Sequence, residues 1–176
     1  MPGMDRHTLG EPRGGSRGDA AEVVIRRATA LDVPALLALR LAFDTELAGE
    51  LPPDGVAAHV AAVREYLESH LPDGRFLAWV AEAPDGTLVG MAGMVVIDRP
   101  PHPRSRRPGE GFVYTVYTAP GWRRRGVARR LMEAVIDEAR ALRLRRVLLR
   151  ASEDGRALYD ALGFVDPGYY RQLDLD

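Results

Sequence analysis

Apolar and polar residues in the first half of the chain follow a helical rhythm. Apolar side chains recur at three- and four-residue spacing in two stretches, and each stretch predicts an amphipathic helix. Asp32 suits the N-cap of the first helix and Pro34 its first turn, while Pro-Pro-Asp-Gly at 52–55 separates the two helices. The elements predicted here are a short strand at 22–27 and helices at 32–47 and 56–70.

The second half changes to the alternating and continuous apolar runs that are typical of strands. Pro84-Asp85-Gly86 lies between two such runs and predicts a hairpin. The elements predicted here are strands at 76–83, 87–97, 112–118 and 146–151, helices at 124–142 and 154–162, and a last strand from Phe164. The order β-α-α-β-β-β-α-β-α-β predicts an α/β fold (α+β), in which a mixed sheet is flanked by helices.

The composition of the chain excludes several kinds of catalytic and metal-binding site. The 176 residues suffice for one domain, predicted at 21–176, after a Gly-, Pro- and Arg-rich leader at 1–20 that is expected to be disordered. The chain has no cysteine, which excludes thiol nucleophiles and thiolate metal ligands. It has no lysine either, so Schiff-base chemistry and a Walker A lysine are excluded. Its four histidines show no metal-ligand spacing, and no metal is expected.

Charge and hydropathy bear on location and partners. The net charge is −1, with no aromatic–basic interleaving, so a nucleic-acid partner is not expected. No apolar run has the length of a membrane span, and the N-terminus has no apolar core of a secretory signal. The cytoplasm is therefore the default location, and no membrane partner is expected.

The segment from Thr118 to Met132 carries the most specific chemical signal. Three arginines open the helix predicted there and two more follow, although a helix N-terminus itself carries partial positive charge. No Ser, Thr, Asp or Asn stands ready to cap it, so its first N–H groups need another acceptor. A phosphate would accept from these amides and pair with the guanidinium groups. A solvated basic helix end remains an equal alternative on charge alone.

Two motifs in this half of the chain resemble those of a known family. Arg123-x-x-Gly126-x-Ala128, after a strand, resembles the (Gln/Arg)-x-x-Gly-x-(Gly/Ala) pyrophosphate loop of the GNAT superfamily of N-acetyltransferases. The downstream segment 152–164, Ser-x-x-Gly-x-Ala-Leu-Tyr-Asp-Ala-Leu-Gly-Phe, resembles that superfamily's closing motif. The resemblance covers residues 22 to 170 and implies the GNAT-like acyl-CoA N-acyltransferase fold.

The resemblance implies an enzyme that transfers the acetyl group of acetyl-CoA to a primary amine of a small molecule or peptide. The strand ending at 118 would separate from strand 146–151 and pair with the pantetheine arm. An N–H near Val116 or Tyr117 would polarise the acetyl carbonyl. Main-chain N–H groups of 124–129 would hold the pyrophosphate. The implied cofactor-binding residues are Val116, Tyr117, Thr118, Arg123, Arg124, Arg125, Gly126, Val127, Ala128, Arg129 and Ser152.

Tyr159 and Glu110 are the catalytic candidates. The Tyr159 phenol would protonate the leaving sulfur, unless it is simply a core aromatic of a short helix. Some relatives place a glutamate base where this chain has Phe112, and Glu110 would share that face if the strand reaches it. A solvated loop carboxylate is the alternative for Glu110. An amine with a pKa near 8 also needs little help to lose its proton, so a dedicated base is not required.

Other expectations are less specific. Asp44, Glu46 and Asp98 are weaker candidates for the base, and many relatives have asparagine where Ser152 stands. The acceptor would lie between the first two helices, the loop at 98–111 and the far end of the central strand. Its candidate lining residues are Arg40, Phe43, Tyr114 and Tyr170. A non-catalytic acyl-CoA-binding regulatory module is the alternative function, and a homodimer is expected because such folds often pair through a sheet edge.

Overall fold

The computed structural model describes residues 23–49, 53–100 and 109–169, together with 172, 173 and 175. The predicted leader, most of the loop at 98–111, and Tyr170 lie outside the described residues.

A five-stranded mixed sheet forms the centre of the fold. Its strand order is β1-β2-β3-β4-β5, with antiparallel neighbours throughout except for the parallel pair β4 and β5. This confirms the predicted fold class. The strands are β1 (Val24–Arg27), β2 (Phe76–Glu82), β3 (Leu88–Ile97), β4 (Glu110–Thr118) and β5 (Val147–Leu149). The helices are α1 (Val33–Ala48), α2 (Pro53–His70), α3 (Val127–Ala141) and α4 (Arg156–Ala161).

Helices cover both faces of the sheet, which explains why β2 is a continuous apolar run. Phe76 and Val80 of this strand pack with α1 and α2, whereas Leu77 and Trp79 pack with α3 and α4. Successive side chains of a strand point to opposite faces, so a strand between two helical layers must be apolar at every position. The predicted turn at 84–86 joins β2 to β3, and its Gly86 has φ +83°.

Several predicted boundaries are wrong. Helix α2 begins at Pro53 and not at 56, so residues 53–55 of the predicted break belong to the helix. No strand begins at Phe164: the described residues 163–169 are irregular, and the Phe164 N–H bonds to the Tyr159 carbonyl at 3.0 Å. The apolar pair there is followed at once by Asp-Pro-Gly, in which the Gly168 N–H bonds to the Asp166 carboxylate at 2.9 Å. Helix α3 begins at Val127 and not at 124, because the residues before it form a left-handed turn described below.

Asp32 precedes α1 as predicted, but its side chain does not cap that helix. Its carboxylate accepts the Thr29 N–H at 2.7 Å and pairs with the Arg26 guanidinium through bonds of 2.9 and 2.8 Å. Arg26 also pairs with Glu82 of β2. The buried Asp32 therefore ties the start of α1 to the sheet edge through Arg26, in addition to its local capping bond with Thr29.

We expect Asp32→Asn to lower the free energy of unfolding by about 1–2 kcal/mol at pH 7. The hydrogen bonds from Arg26 lower the pKa of the Asp32 carboxyl from 3.8 to about 2. A lowered folded-state pKa stabilises the fold above the unfolded pKa, and this contribution disappears as pH falls from about 4 to about 2. Urea unfolding of both proteins across this pH range measures the difference, which should shrink on the acid side. Asp137→Asn is the control, since Asp137 lies in an exposed pair with Arg140.

Candidate active site

Strands β4 and β5 separate partway along their length. Their pairing ends at Val113↔Leu149, while β4 continues to Thr118. Residues 114–118 therefore have no strand partner on the β5 side within the described part of the chain. A strand edge inside the sheet that is open on one side offers main-chain donors and acceptors to an extended ligand.

Alternation along β4 indicates which main-chain groups face this gap. The Gly111 N–H donates to the carbonyl of Arg146, just before β5, at 3.0 Å, whereas the Ala119 N–H donates to the carbonyl of β3 residue Val89 at 2.8 Å. Main-chain groups alternate in direction along a strand, so those of Tyr117, two residues before Ala119, also face β3. The main-chain groups of Val116 and Thr118 therefore face the gap. The Thr118 hydroxyl is buried and has no hydrogen-bond partner among the described residues.

A β-bulge at Tyr114 changes the face on which the neighbouring side chains lie. Gly93 pairs with Thr115 and Met94 with Val113, so Tyr114 is the extra residue. The Thr115 hydroxyl accepts a bond from Arg40 of α1 at 2.8 Å, which places Thr115 on the α1 side. The Tyr114 ring is 56% exposed, with its centroid 4.8 Å from that of Phe112.

A polar cluster lies beside the bulge on the α1 side. Arg40 pairs with Asp44 at 2.9 Å, and His59 of α2 contacts the same carboxylate at 2.9 Å. The structure thus brings Arg40, one of the residues predicted to line the acceptor site, to the central strand. Phe43, another of these residues, packs edge-on to the Tyr117 ring. The prediction missed His59, which no local pattern links to Asp44. The i,i+4 spacing of Arg40 and Asp44 was the available signal.

The turn between β4 and α3 exposes the first amides of the helix. Arg124 has φ +61° and Gly126 has φ +79°, so the chain passes twice through the left-handed region before Val127 begins α3. No side chain caps the helix, and no acidic residue lies in its first turn. The first N–H groups of α3 and several arginines therefore meet at the end of the β4–β5 gap, which is a favourable place for an anion.

Arg123 is directed away from these amides. Its Nε donates to the Thr118 carbonyl at 2.9 Å, and its Nη2 donates to Glu46 Oε1 at 2.7 Å. The Tyr117 hydroxyl donates to the same Glu46 oxygen at 2.9 Å, and the Arg123 guanidinium lies over the Tyr117 ring. The sequence motif placed Arg123 at the cofactor turn but did not reveal its partner on α1.

Tyr159 lies in the core cluster on the α3 side of the sheet, together with Val113 and Val127. The ring is buried, and burial raises the pKa of its phenol above the ordinary value of 10.0. Among the described residues its hydroxyl has no hydrogen-bond partner, and the hydroxyl oxygen is not fully enclosed. Such a phenol remains protonated at neutral pH and can donate. Ser152, another predicted cofactor contact, accepts the Gly155 N–H at 3.2 Å at the start of α4.

Glu110 is the first residue of β4, so it shares a face with Phe112 as the prediction required. Its carboxylate is buried, with Oε1 2.9 Å from Arg146 Nε and Oε2 3.2 Å from Arg99 Nη2. Six residues separate it from Val116, which is roughly 20 Å along the strand. Two arginine partners and this distance favour a structural ion pair. The catalytic role stays a prediction.

The variant Glu110→Gln distinguishes a structural ion pair from a catalytic base. We expect the variant to lose about 1–3 kcal/mol of unfolding free energy, because Arg146 loses its buried charged partner. We expect kcat to stay within about threefold of the parent value, since the general-base contribution that would otherwise be lost is typically 10²–10⁴-fold. Urea unfolding and steady-state rates test this. A hundredfold fall in kcat with unchanged stability would assign the base to Glu110.

Within the described ranges, no helix is both long enough and apolar enough to cross a membrane. The same ranges contain no group of three or more acidic or histidine side chains placed to hold a metal ion.

Comparison with known proteins gives consistent results. The model of the acetyltransferase (GNAT) family matches residues 42–164. The chain is 33% identical over 102 residues to N-alpha-acetyltransferase RimI of Mycobacterium tuberculosis. That alignment covers 56% of this chain and 61% of the relative, so it spans about three fifths of the relative's length.

Solved structures share the fold. A GCN5-related N-acetyltransferase from Ralstonia eutropha JMP134 is similar with a TM-score of 0.74 and 25% identity, covering 86% of this chain and 98% of that one. A predicted acetyltransferase from Clostridium acetobutylicum, whose crystal structure was determined with acetyl-CoA, is similar with a TM-score of 0.73 and 24% identity. That match covers 86% of this chain and 96% of the other.

Proposed function

The chain belongs to the acetyltransferase (GNAT) family, and on that basis we propose that it transfers the acetyl group of acetyl-CoA to a primary amine. Acetyl-CoA is the co-substrate of this family. The amine acceptor, and whether it is a small molecule or a peptide, is the part that experiment must identify. The expected cytoplasmic location and the homodimer stay predictions.

The observation that carries the proposal is the open gap between β4 and β5 ending at an uncapped helix. The gap offers the main-chain groups of Val116 and the N–H of Thr118 to an extended amide-containing arm. The turn at 123–126 and the first amides of α3 offer donors to a pyrophosphate. The unpartnered Thr118 hydroxyl supports this proposal, because a buried hydroxyl without a partner is costly unless a ligand bonds to it.

The proposed reaction needs little from the protein beyond orientation and two hydrogen-bond donors. When bound, acetyl-CoA supplies the acetyl group as a thioester. The neutral amine forms the new carbon–nitrogen bond while the carbon–sulfur bond breaks, and the proton lost by the amine passes to water. We assign Val116 N–H to the acetyl oxygen, where negative charge develops, and the Tyr159 phenol to the leaving sulfur.

The acceptor would approach from the α1–α2 side, where Thr115 lies against Arg40 and Tyr114 is exposed. Arg40, held on the Thr115 hydroxyl and paired with Asp44, lies beside this approach. The absence of a carboxylate at Phe112 is consistent with a reaction that uses no dedicated base on the central strand.

The proposal is tested in two steps. Calorimetry of the full chain with coenzyme A and with acetyl-CoA first measures binding. Release of free thiol from acetyl-CoA is then followed across a panel of amines that includes peptide α-amines, because the RimI relative is named for that reaction. Binding followed by turnover on at least one amine supports the enzyme. Binding without turnover across the panel would favour the non-catalytic acyl-CoA module, and failure to bind would overturn both.

A further inference from the structure

Glu46, Tyr117 and Arg123, which we call the anchor cluster, connect three parts of the fold. Glu46 lies in the last turn of α1, Tyr117 near the end of β4, and Arg123 at the entrance to the turn before α3. The carboxylate of Glu46 accepts from the other two side chains at 2.9 and 2.7 Å. The cluster thus closes a link between α1 and the proposed cofactor turn.

The geometry of Arg123 argues against a direct phosphate contact. Its guanidinium is committed to the Thr118 carbonyl, to both oxygens of Glu46 and to the face of the Tyr117 ring. A planar guanidinium held by a carboxylate and a carbonyl cannot reorient toward another anion without breaking charge-assisted bonds. Its positive charge is also already neutralised by Glu46.

The turn that follows Arg123 is strained, and Arg125 within it lies over the Trp122 ring. Arg124 and Gly126 occupy the left-handed region, which costs about 1–2 kcal/mol for a non-glycine residue such as Arg124. Bonds to Ala119 and Pro120 close the short turn that precedes it, the second at 3.3 Å. The side-chain bonds of Arg123 therefore add a restraint at the point where the strand ends and the strained turn begins.

We propose that Glu46 is a positioning residue: by holding Arg123 against the end of β4, it orders the turn whose amides bind the pyrophosphate of coenzyme A. The inference rests on the proposed function, because it assigns a role within the same site. It makes Arg123 a structural member of the motif and not a phosphate ligand. It also makes coenzyme affinity depend on a residue of α1, outside the motif itself.

Glu46→Gln distinguishes a positioning role of Glu46 from direct phosphate binding by Arg123, because the two roles predict different changes in coenzyme A affinity. If Glu46 positions the turn, the variant binds coenzyme A roughly fivefold more weakly, since a neutral amide holds a guanidinium less firmly. Its KM for acetyl-CoA should rise by a similar factor while kcat is unchanged. If Arg123 is instead a latent phosphate ligand, freeing it should leave affinity unchanged or increase it, and that outcome overturns the inference.

A double-mutant cycle and a matched control complete the experiment. Arg123→Ala should weaken coenzyme A binding, and adding Glu46→Gln to it should cost little more, because the two residues act as one unit. Glu68→Gln is the control, since Glu68 forms an exposed i,i+4 pair with Arg64 on α2. Tyr117→Phe removes one bond to the same carboxylate and gives a second test if Glu46→Gln unfolds. Additive effects in the cycle would count against the anchor cluster.

The result is separable from the fate of the proposed function. A parent protein that does not bind coenzyme A defeats the proposed function. A parent protein that binds it, together with a Glu46→Gln variant of equal or higher affinity, defeats only the anchor cluster. Thermal unfolding of each variant shows whether it is folded. We expect the variants to fold, because both side chains of the Glu46–Arg123 pair are nearly half exposed.

Discussion

Gly126→Val is expected to weaken coenzyme A binding by at least about 30-fold. Gly126 has φ +79°, a conformation that a β-branched residue adopts only at considerable cost. A branched side chain here would either push the turn out of its left-handed path or stand where the phosphate must approach the first amides of α3. Calorimetric titration with coenzyme A measures the loss directly, without dependence on the acceptor.

Gly121→Ala is the matched control for this prediction. Gly121 lies five residues earlier, does not have a positive φ, and has open space where a side chain would begin. We expect its coenzyme affinity to remain within about twofold of the parent value. If Gly126→Val bound coenzyme A as tightly as Gly121→Ala did, the pyrophosphate would have to lie elsewhere and the proposed site would be wrong.

Tyr159→Phe is expected to lower kcat by about 100-fold while the KM for acetyl-CoA changes little. The substitution keeps the ring in the core cluster and removes only the hydroxyl assigned to the leaving sulfur. Burial raises the pKa of this phenol, so in the parent protein it stays protonated until the pH rises above its ordinary value of 10.0. A pH profile should therefore show a basic limb in the parent that is absent from the variant.

Tyr66→Phe provides the control for losing a phenol. Tyr66 is a partly exposed aromatic of α2 that stacks on His70, and burial raises its pKa as well. We expect its kcat to remain near the parent value and the thermal unfolding midpoints of both variants to lie within a few degrees of the parent. If Tyr159→Phe had the same kcat as the parent, Tyr159 would be a core aromatic residue and not the donor to the leaving sulfur.

Local sequence patterns were sufficient for most of the fold. Helical spacing before residue 70, the hairpin at 84–86 and the apolar strands predicted the elements in their correct order, because each depends on residues within one turn or one strand of each other. The run of arginines before α3 predicted an uncapped helix end for the same reason, and the structure shows no side-chain cap there. The error at Phe164 arose because two apolar residues are too few to distinguish a strand from a packed coil.

The structure was needed wherever a side chain bonds to a residue far away in the chain. Arg26, which pairs with Asp32, also bonds to Glu82 of β2, 56 residues away, and Arg123 has the position of a phosphate ligand but bonds to Glu46, 77 residues away. No local periodicity contains such pairs, because they exist only once the helices have packed on the sheet. The chain thus encodes its elements and its anion-binding turn locally. Side-chain partners across layers, including those of Glu110, depend on tertiary packing.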